Sequence, residues 1–164
     1  MPILSYNNVD FVSRSPEQTR RLGIRLGALL KPADVICLNG DLGSGKTTFV
    51  QGLAKGWGSV DAVSSPTFVL VNQYRQPGGG QLHHLDAYRI ESLLEAEDLD
   101  IDALLVNGPL VVEWSDRIAE ALPDERLKIE FTWLGDEQRR LLFTPQGSRH
   151  EKLLQDFKRL AFGG

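Results

Sequence analysis

The sequence predicts a three-layer α/β fold, with a mixed parallel and antiparallel central sheet and helices on both faces. Three observations carry this reading. The unalternating apolar run Val35-Ile36-Cys37-Leu38 leads directly into Gly40-Asp41-Leu42-Gly43-Ser44-Gly45-Lys46-Thr47, and a helical pattern follows. The middle stretch satisfies G-x-x-x-x-G-K-S/T without a mismatch, in the strand-loop-helix context that makes it a phosphate-binding P-loop. A second apolar strand, Pro109-Leu110-Val111-Val112, ends in the acid Glu113, as the second core strand of a P-loop NTPase-like fold should.

Taken in order, residues 3–12 mix strand formers with turn residues and supply one short strand. Ser15-Pro16-Glu17 reads as a helix start, with Ser15 as N-cap and Pro16 at the first helical position. Leu22, Leu26, Leu29 and Leu30 then give that helix a buried face. Gly23 and Gly27 make a second face small enough for another backbone to approach, which reads as tight helix packing. Lys31-Pro32-Ala33-Asp34 breaks the helix before the strand 35–39. Phe49, Val50, Leu53, Ala54 and Trp57 keep helical periodicity after the P-loop, and Gly56 with Gly58 ends that helix.

The strand 69–74 and the segment 82–86 flank Pro77-Gly78-Gly79-Gly80, so they form a hairpin that brings Asp86 to a strand end. Residues 91–102 hold the acids Glu91, Glu95, Glu97, Asp98, Asp100 and Asp102 with no Lys or Arg among them. A solvated helix face explains this run, and a docking surface for a basic partner is the sharper reading. Ser115-Asp116 opens a helix that Pro123 stops. Leu127, Ile129, Phe131 and Trp133 alternate with polar residues before Gly135-Asp136 turns the chain into a second antiparallel strand at 140–143. Leu153, Leu154, Phe157, Leu160 and Ala161 mark an amphipathic C-terminal helix.

With 164 residues, 41% hydrophobic and 24% charged, the whole chain (1–164) is expected to be a single P-loop ATPase domain. Its net charge of −4 gives no global basic field, which disfavours tight direct binding of tRNA or DNA. The lone Cys37 sits in the apolar run and suits a reducing compartment. No basic-then-apolar leader and no bilayer-length apolar run occurs, so a cytoplasmic protein without membrane attachment is expected.

The chemistry follows from residue types. Glycines let backbone N–H groups face phosphate oxygens while the following helix aims its positive end at them. Lys46 can reach the β- and γ-phosphates, and the Thr47 hydroxyl can ligate Mg²⁺. Hydrolysis also needs acids, and Asp86 and Glu113 each follow a strand; one can serve the metal and the other the attacking water, and spacing alone does not divide the roles. Thr67 is a candidate switch hydroxyl. Arg89 could stabilise transition-state charge or pair with the acids after it. His83 and His84 alternate faces, so at most one can point into the site. Trp114 is read either as a neighbour of the nucleotide or as a buried strand-end aromatic.

The ordered set Gly40 to Thr48, Ser65-Pro66-Thr67-Phe68, His84-Leu85-Asp86-Ala87-Tyr88-Arg89 and Glu113-Trp114 closely resembles the bacterial TsaE (YjeE) family, over nearly the whole chain from Ser15 to Trp114. The resemblance implies an ATP- and Mg²⁺-dependent ATPase acting with TsaD and TsaB to form threonylcarbamoyladenosine in tRNAs that read codons beginning with A. The tRNA is then engaged through the complex, and carbamoyl transfer belongs to TsaD. Carried over, Asp41, Leu42, Gly43, Ser44, Gly45, Lys46, Thr47 and Thr48 bind phosphates, and Thr47 with Glu113 holds Mg²⁺. Asp86 is the second acid and so a further candidate for the metal, Thr67 is switch-like and Trp114 neighbours the site. Ser15 and Pro16 mark the adenine side. Three features depart from the family pattern: Ser115 stands where proline is frequent, Asp100 where glycine is common, and the 77–80 hairpin tip is longer.

Alternatives are a nucleotide-gated interaction module with little hydrolysis of its own, or a P-loop small-molecule kinase. The kinase reading lacks a clear lid insertion. A GTPase is disfavoured by the missing N-K-x-D segment.

Overall fold

The computed structural model describes residues 8–41, 43–63 and 71–163. Leu42 and Thr67, expected at the P-loop and the switch, lie outside the described residues. Among the described residues the strands are β1 (Val9–Ser13), β2 (Val35–Asn39), β3 (Val71–Arg75), β4 (Gln81–Asp86), β5 (Leu110–Glu113), β6 (Arg126–Gly135) and β7 (Gln138–Gln146). The α-helices are α1 (Pro16–Gly27), α2 (Lys46–Trp57), α3 (Leu93–Glu97), α4 (Ile101–Val106) and α5 (Ser148–Phe162).

The strands form one sheet in the order β1-β7-β6-β2-β5-β4-β3. Its centre, β6-β2-β5-β4, is parallel, while β7 and β1 at one edge and β3 at the other add antiparallel pairs. This is the mixed sheet that the sequence predicts. Val35, Ile36, Cys37 and Leu38 of β2 are all buried, because a central strand covered on both sides has no wet face to alternate toward.

Alternation within the strands divides the core in two. Ile36, Leu38, Val111, Ile129 and Phe143 face α1, α2 and α5, where Phe49 and Phe157 fill the centre. Val35, Cys37, Leu85, Leu110 and Val112 face the opposite layer, which is built from α3, α4 and short 3-10 turns. Burial in this second layer pushes the Cys37 thiol up to about 11, so it packs as a small apolar group.

Helix α1 begins as its sequence dictates, with the Ser15 hydroxyl accepting from the Gln18 N–H at 3.1 Å. Its glycine face meets a matching one on α2. A Cβ on Gly27 would collide with the Leu53 carbonyl, and one on Gly56 with the Ile24 carbonyl. The two backbones therefore lie in direct contact beneath the P-loop.

Two elements differ from expectation. The acidic stretch forms two short helices, α3 and α4, broken where Asp100 adopts φ 52°. This is the left-handed conformation that glycine adopts without strain, and aspartate's short side chain tolerates it. All six acids are exposed, as a solvated face requires. The segment after Trp114 is 3-10 (Ser115–Ala121) and kinked at Ile118, which is buried against the sheet; this anchor replaces the regular helix expected there.

Candidate functional site

The P-loop emerges from the C-terminal end of β2, and the sheet brings the two acids to the same end. β4 and β5 are parallel neighbours in a register that sets Asp86 directly opposite Glu113. Both side chains fall on the α2 face of the sheet, two residues beyond His84 and Val111 respectively. A cleft of about 280 Å³ results, lined by Gly43, Ser44, Gly45, Lys46, Thr47, Thr48, Asp86, Glu113, Trp114 and Arg139.

The loop is shaped to expose its amides. Gly45 has φ 102°, a conformation that a side chain would strain, and it caps α2 so that the first-turn N–H groups open toward the cleft. Lys46 starts that helix and is buried, with its ammonium folded back to donate to the Gly40 carbonyl. Burial pushes the Lys46 ammonium below the usual lysine value, while Glu113, Asp86 and Asp41 pull it back up. Its Nζ also sits 3.9 Å from the Trp114 ring centroid.

Trp114 occupies an unusual backbone position, φ 58° and ψ 40° directly after β5. Left-handed backbone at a bulky aromatic is an outlier, and such positions gather at functional sites. Its own N–H is secured by the Leu38 carbonyl at 3.0 Å. The ring therefore stands against the P-loop lysine, with the Tyr88 ring centroid 5.1 Å from its own. The half-buried Trp114 ring lines the cleft.

Glu113 is buried, and its Oε2 lies 2.6 Å from His84 Nε2. His84 thus contacts a carboxylate that lines the cleft, a pairing its sequence neighbourhood did not mark. His83 points to the opposite face as the alternation requires, and burial pushes its imidazole down. Asp86 keeps one oxygen on the Tyr88 N–H at 3.0 Å.

Arg139 is a residue that sequence reasoning passed over. It is the second residue of β7, far along the chain from the P-loop, and its stem packs where a Gly45 Cβ would come within 3.6 Å. Its Nη1 donates to the carbonyls of Asp136 and Gln138, and its Nε is buried without a partner among the described residues. Only the β1-β7-β6 edge of the sheet brings it here, a placement no local motif signals. Arg89 is exposed on a 3-10 turn (Ala87–Arg89), outside the cleft lining. Ser15 and Pro16 stand at the head of α1, also outside the lining, and α1 approaches the loop through Thr19. Asp41 is exposed at the loop's rim.

The donor set fits a metal–nucleotide. Two carboxylates and a hydroxyl are hard oxygen ligands suited to Mg²⁺, which takes few protein ligands and completes its shell with phosphates and water. Among the described residues no three His, Cys, Asp or Glu side chains converge as a self-sufficient cage. The Ser44 Oγ and Asn39 Nδ2 are buried without partners among the described residues, leaving polar capacity at the loop's floor.

The sequence model of the family "Threonylcarbamoyl adenosine biosynthesis protein TsaE" matches residues 13–141. The tRNA threonylcarbamoyladenosine biosynthesis protein TsaE of Bacillus subtilis is 42% identical over 146 residues, covering 88% of this chain and 90% of that protein. Its counterpart in Streptomyces coelicolor is 42% identical over 136 residues, covering 79% and 92%. Among solved structures, Bacillus subtilis YdiB superposes with a TM-score of 0.75 at 36% identity, covering 93% of this chain and 95% of that one. With the family model spanning most of the chain and the relatives matching nearly end to end, the chain belongs to the TsaE family.

Proposed function

We propose that this protein serves the biosynthesis of threonylcarbamoyladenosine in tRNA as a Mg²⁺-dependent ATPase, working in the cytoplasm with TsaD and TsaB. One observation carries the ATPase reading: a P-loop, its lysine and two strand-paired acids line a single cleft. The family name carries the pathway.

In this reading the amides from Gly43 to Thr48 cradle the phosphates, and Lys46 leaves the Gly40 carbonyl to meet the β- and γ-phosphate oxygens. Thr47 and Glu113 would hold Mg²⁺, which would supply neutralising charge to the phosphates. Asp86, with one oxygen on the Tyr88 N–H, accepts a hydrogen bond from the attacking water and orients it toward the γ-phosphorus. Arg139 offers a fixed positive charge beside Gly45. A chain of net charge −4 is poorly suited to gripping tRNA itself, so tRNA is engaged through the partners.

The test is ATP hydrolysis by the chain alone and together with the two partner proteins, with Lys46→Ala as the control. Turnover that requires the partners and Lys46 supports the reading. Absence of hydrolysis in both settings overturns it.

A further inference from the structure

Glu113 reaches the cleft with one carboxylate oxygen already engaged. Its Oε2 is 2.6 Å from His84 Nε2, and His84 Nδ1 is 3.1 Å from the Tyr74 hydroxyl. The three side chains come from the adjacent strands β5, β4 and β3, and all are buried, His84 at 1% exposure. Chemistry leaves one consistent arrangement for a neutral imidazole. An ionised carboxylate can only accept, so Nε2 carries the hydrogen and donates; Nδ1 must then accept, so the Tyr74 hydroxyl donates.

We propose that Tyr74 and His84 are positioning residues, a buried relay that holds the Glu113 carboxylate in one rotamer and leaves Oε1 facing the metal–nucleotide. The inference rests on the reading of Glu113 as a metal ligand. A glutamate side chain has several rotatable bonds, and a terminal carboxylate turns freely unless something fixes it. The His84 bond fixes it, and the Tyr74 bond fixes the ring and its tautomer in turn. Such outer partners orient a ligand and raise its basicity. The relay is also specific to one acid: Asp86, opposite Glu113, takes its bond from backbone instead.

The experiment compares Tyr74→Phe, His84→Gln and His84→Ala with wild type in the full chain. Calorimetric titration with the β,γ-imido analogue of ATP gives one affinity in Mg²⁺ and one in EDTA, and hydrolysis with the partner proteins gives kcat and KM. His84→Ala should lower the Mg²⁺-dependent gain in affinity by about 10–100-fold, with the EDTA affinity unchanged and kcat reduced more than KM is raised. Tyr74→Phe and His84→Gln should fall between that variant and wild type, since each keeps part of the relay. Tyr74→Phe retains the ring and carries the test should His84→Ala fail to fold. An unchanged Mg²⁺ gain in every folded variant, even with lowered thermal stability, overturns the relay while leaving Glu113 as ligand. A wild type that binds no tighter with Mg²⁺ overturns the ligand reading and the relay together.

Discussion

Asp86 and Glu113 occupy directly opposed positions on neighbouring parallel strands, and both open into the cleft that contains Lys46. Their surroundings differ. Glu113 is buried against an imidazole, whereas Asp86 is half-buried and held by a backbone amide. Different surroundings assign different roles to paired acids. Glu113→Gln should lose both turnover and the Mg²⁺-dependent part of nucleotide affinity. Asp86→Asn should lose turnover by about 100-fold or more while keeping that affinity. Hydrolysis rates together with binding measured with and without Mg²⁺ check both, and matching profiles for the two variants would contradict the division.

Lys46 Nζ and the Trp114 ring lie 3.9 Å apart, so a lysine that moves to phosphate must leave the indole. Nucleotide binding is therefore expected to change tryptophan emission. The change should persist in Trp133→Phe, which alters an exposed hairpin residue, and vanish in Trp114→Phe. A signal that survives in Trp114→Phe would place the moving group elsewhere.

The parts of this fold written in local patterns were legible in the sequence. Ser15-Pro16 announces α1, the apolar run 35–38 announces the central strand, and the motif through Thr47 announces the glycine turn into α2. What local patterns do not carry is cross-strand register and backbone strain. Arg139 reaches the P-loop only because the hairpin β6-β7 lies beside β2. His84 meets Glu113 only because β4 and β5 pair with Asp86 opposite Glu113. The left-handed Trp114 is a conformation that residue identity argues against, and the surrounding fold imposes it.

Gly27 of α1 and Gly56 of α2 show how far the helix pair depends on close approach. By helix propensity alone, Gly56→Ala would stabilise the protein by about 1 kcal/mol. The Ile24 carbonyl occupies the space the methyl needs, and backbone yields less readily than a side chain. The expected sign therefore reverses, to a loss of about 1–3 kcal/mol. Denaturant unfolding of Gly27→Ala and Gly56→Ala checks this; a gain in stability for either would show that the helices can part without cost.

His150 at the start of α5 accepts a hydrogen bond from the Val35 N–H at 3.1 Å, anchoring the head of the P-loop strand. The neighbouring Arg149 grips Asp34 with two bonds, at 2.8 and 2.7 Å. A protonated Nε2 could not accept from Val35, and burial pushes the His150 imidazole below its ordinary value of 6.5. His83 is pushed the same way by burial. The folded state thus binds fewer protons than the unfolded chain, so this stabilisation is complete above about pH 6.5 and is lost as pH falls below it. The slope is at most about 1.4 kcal/mol per pH unit for each histidine. Asp10, Asp61 and Asp156 do not mimic the effect, because they are lowered from 3.8 by arginine or lysine partners and act only in stronger acid. Thermal unfolding at pH 7.5 and 5.5 should show a drop in wild type that is smaller in His150→Gln, whose amide oxygen can still accept from Val35 without titrating. An equal drop in both proteins would remove His150 from the account and leave His83 to explain it.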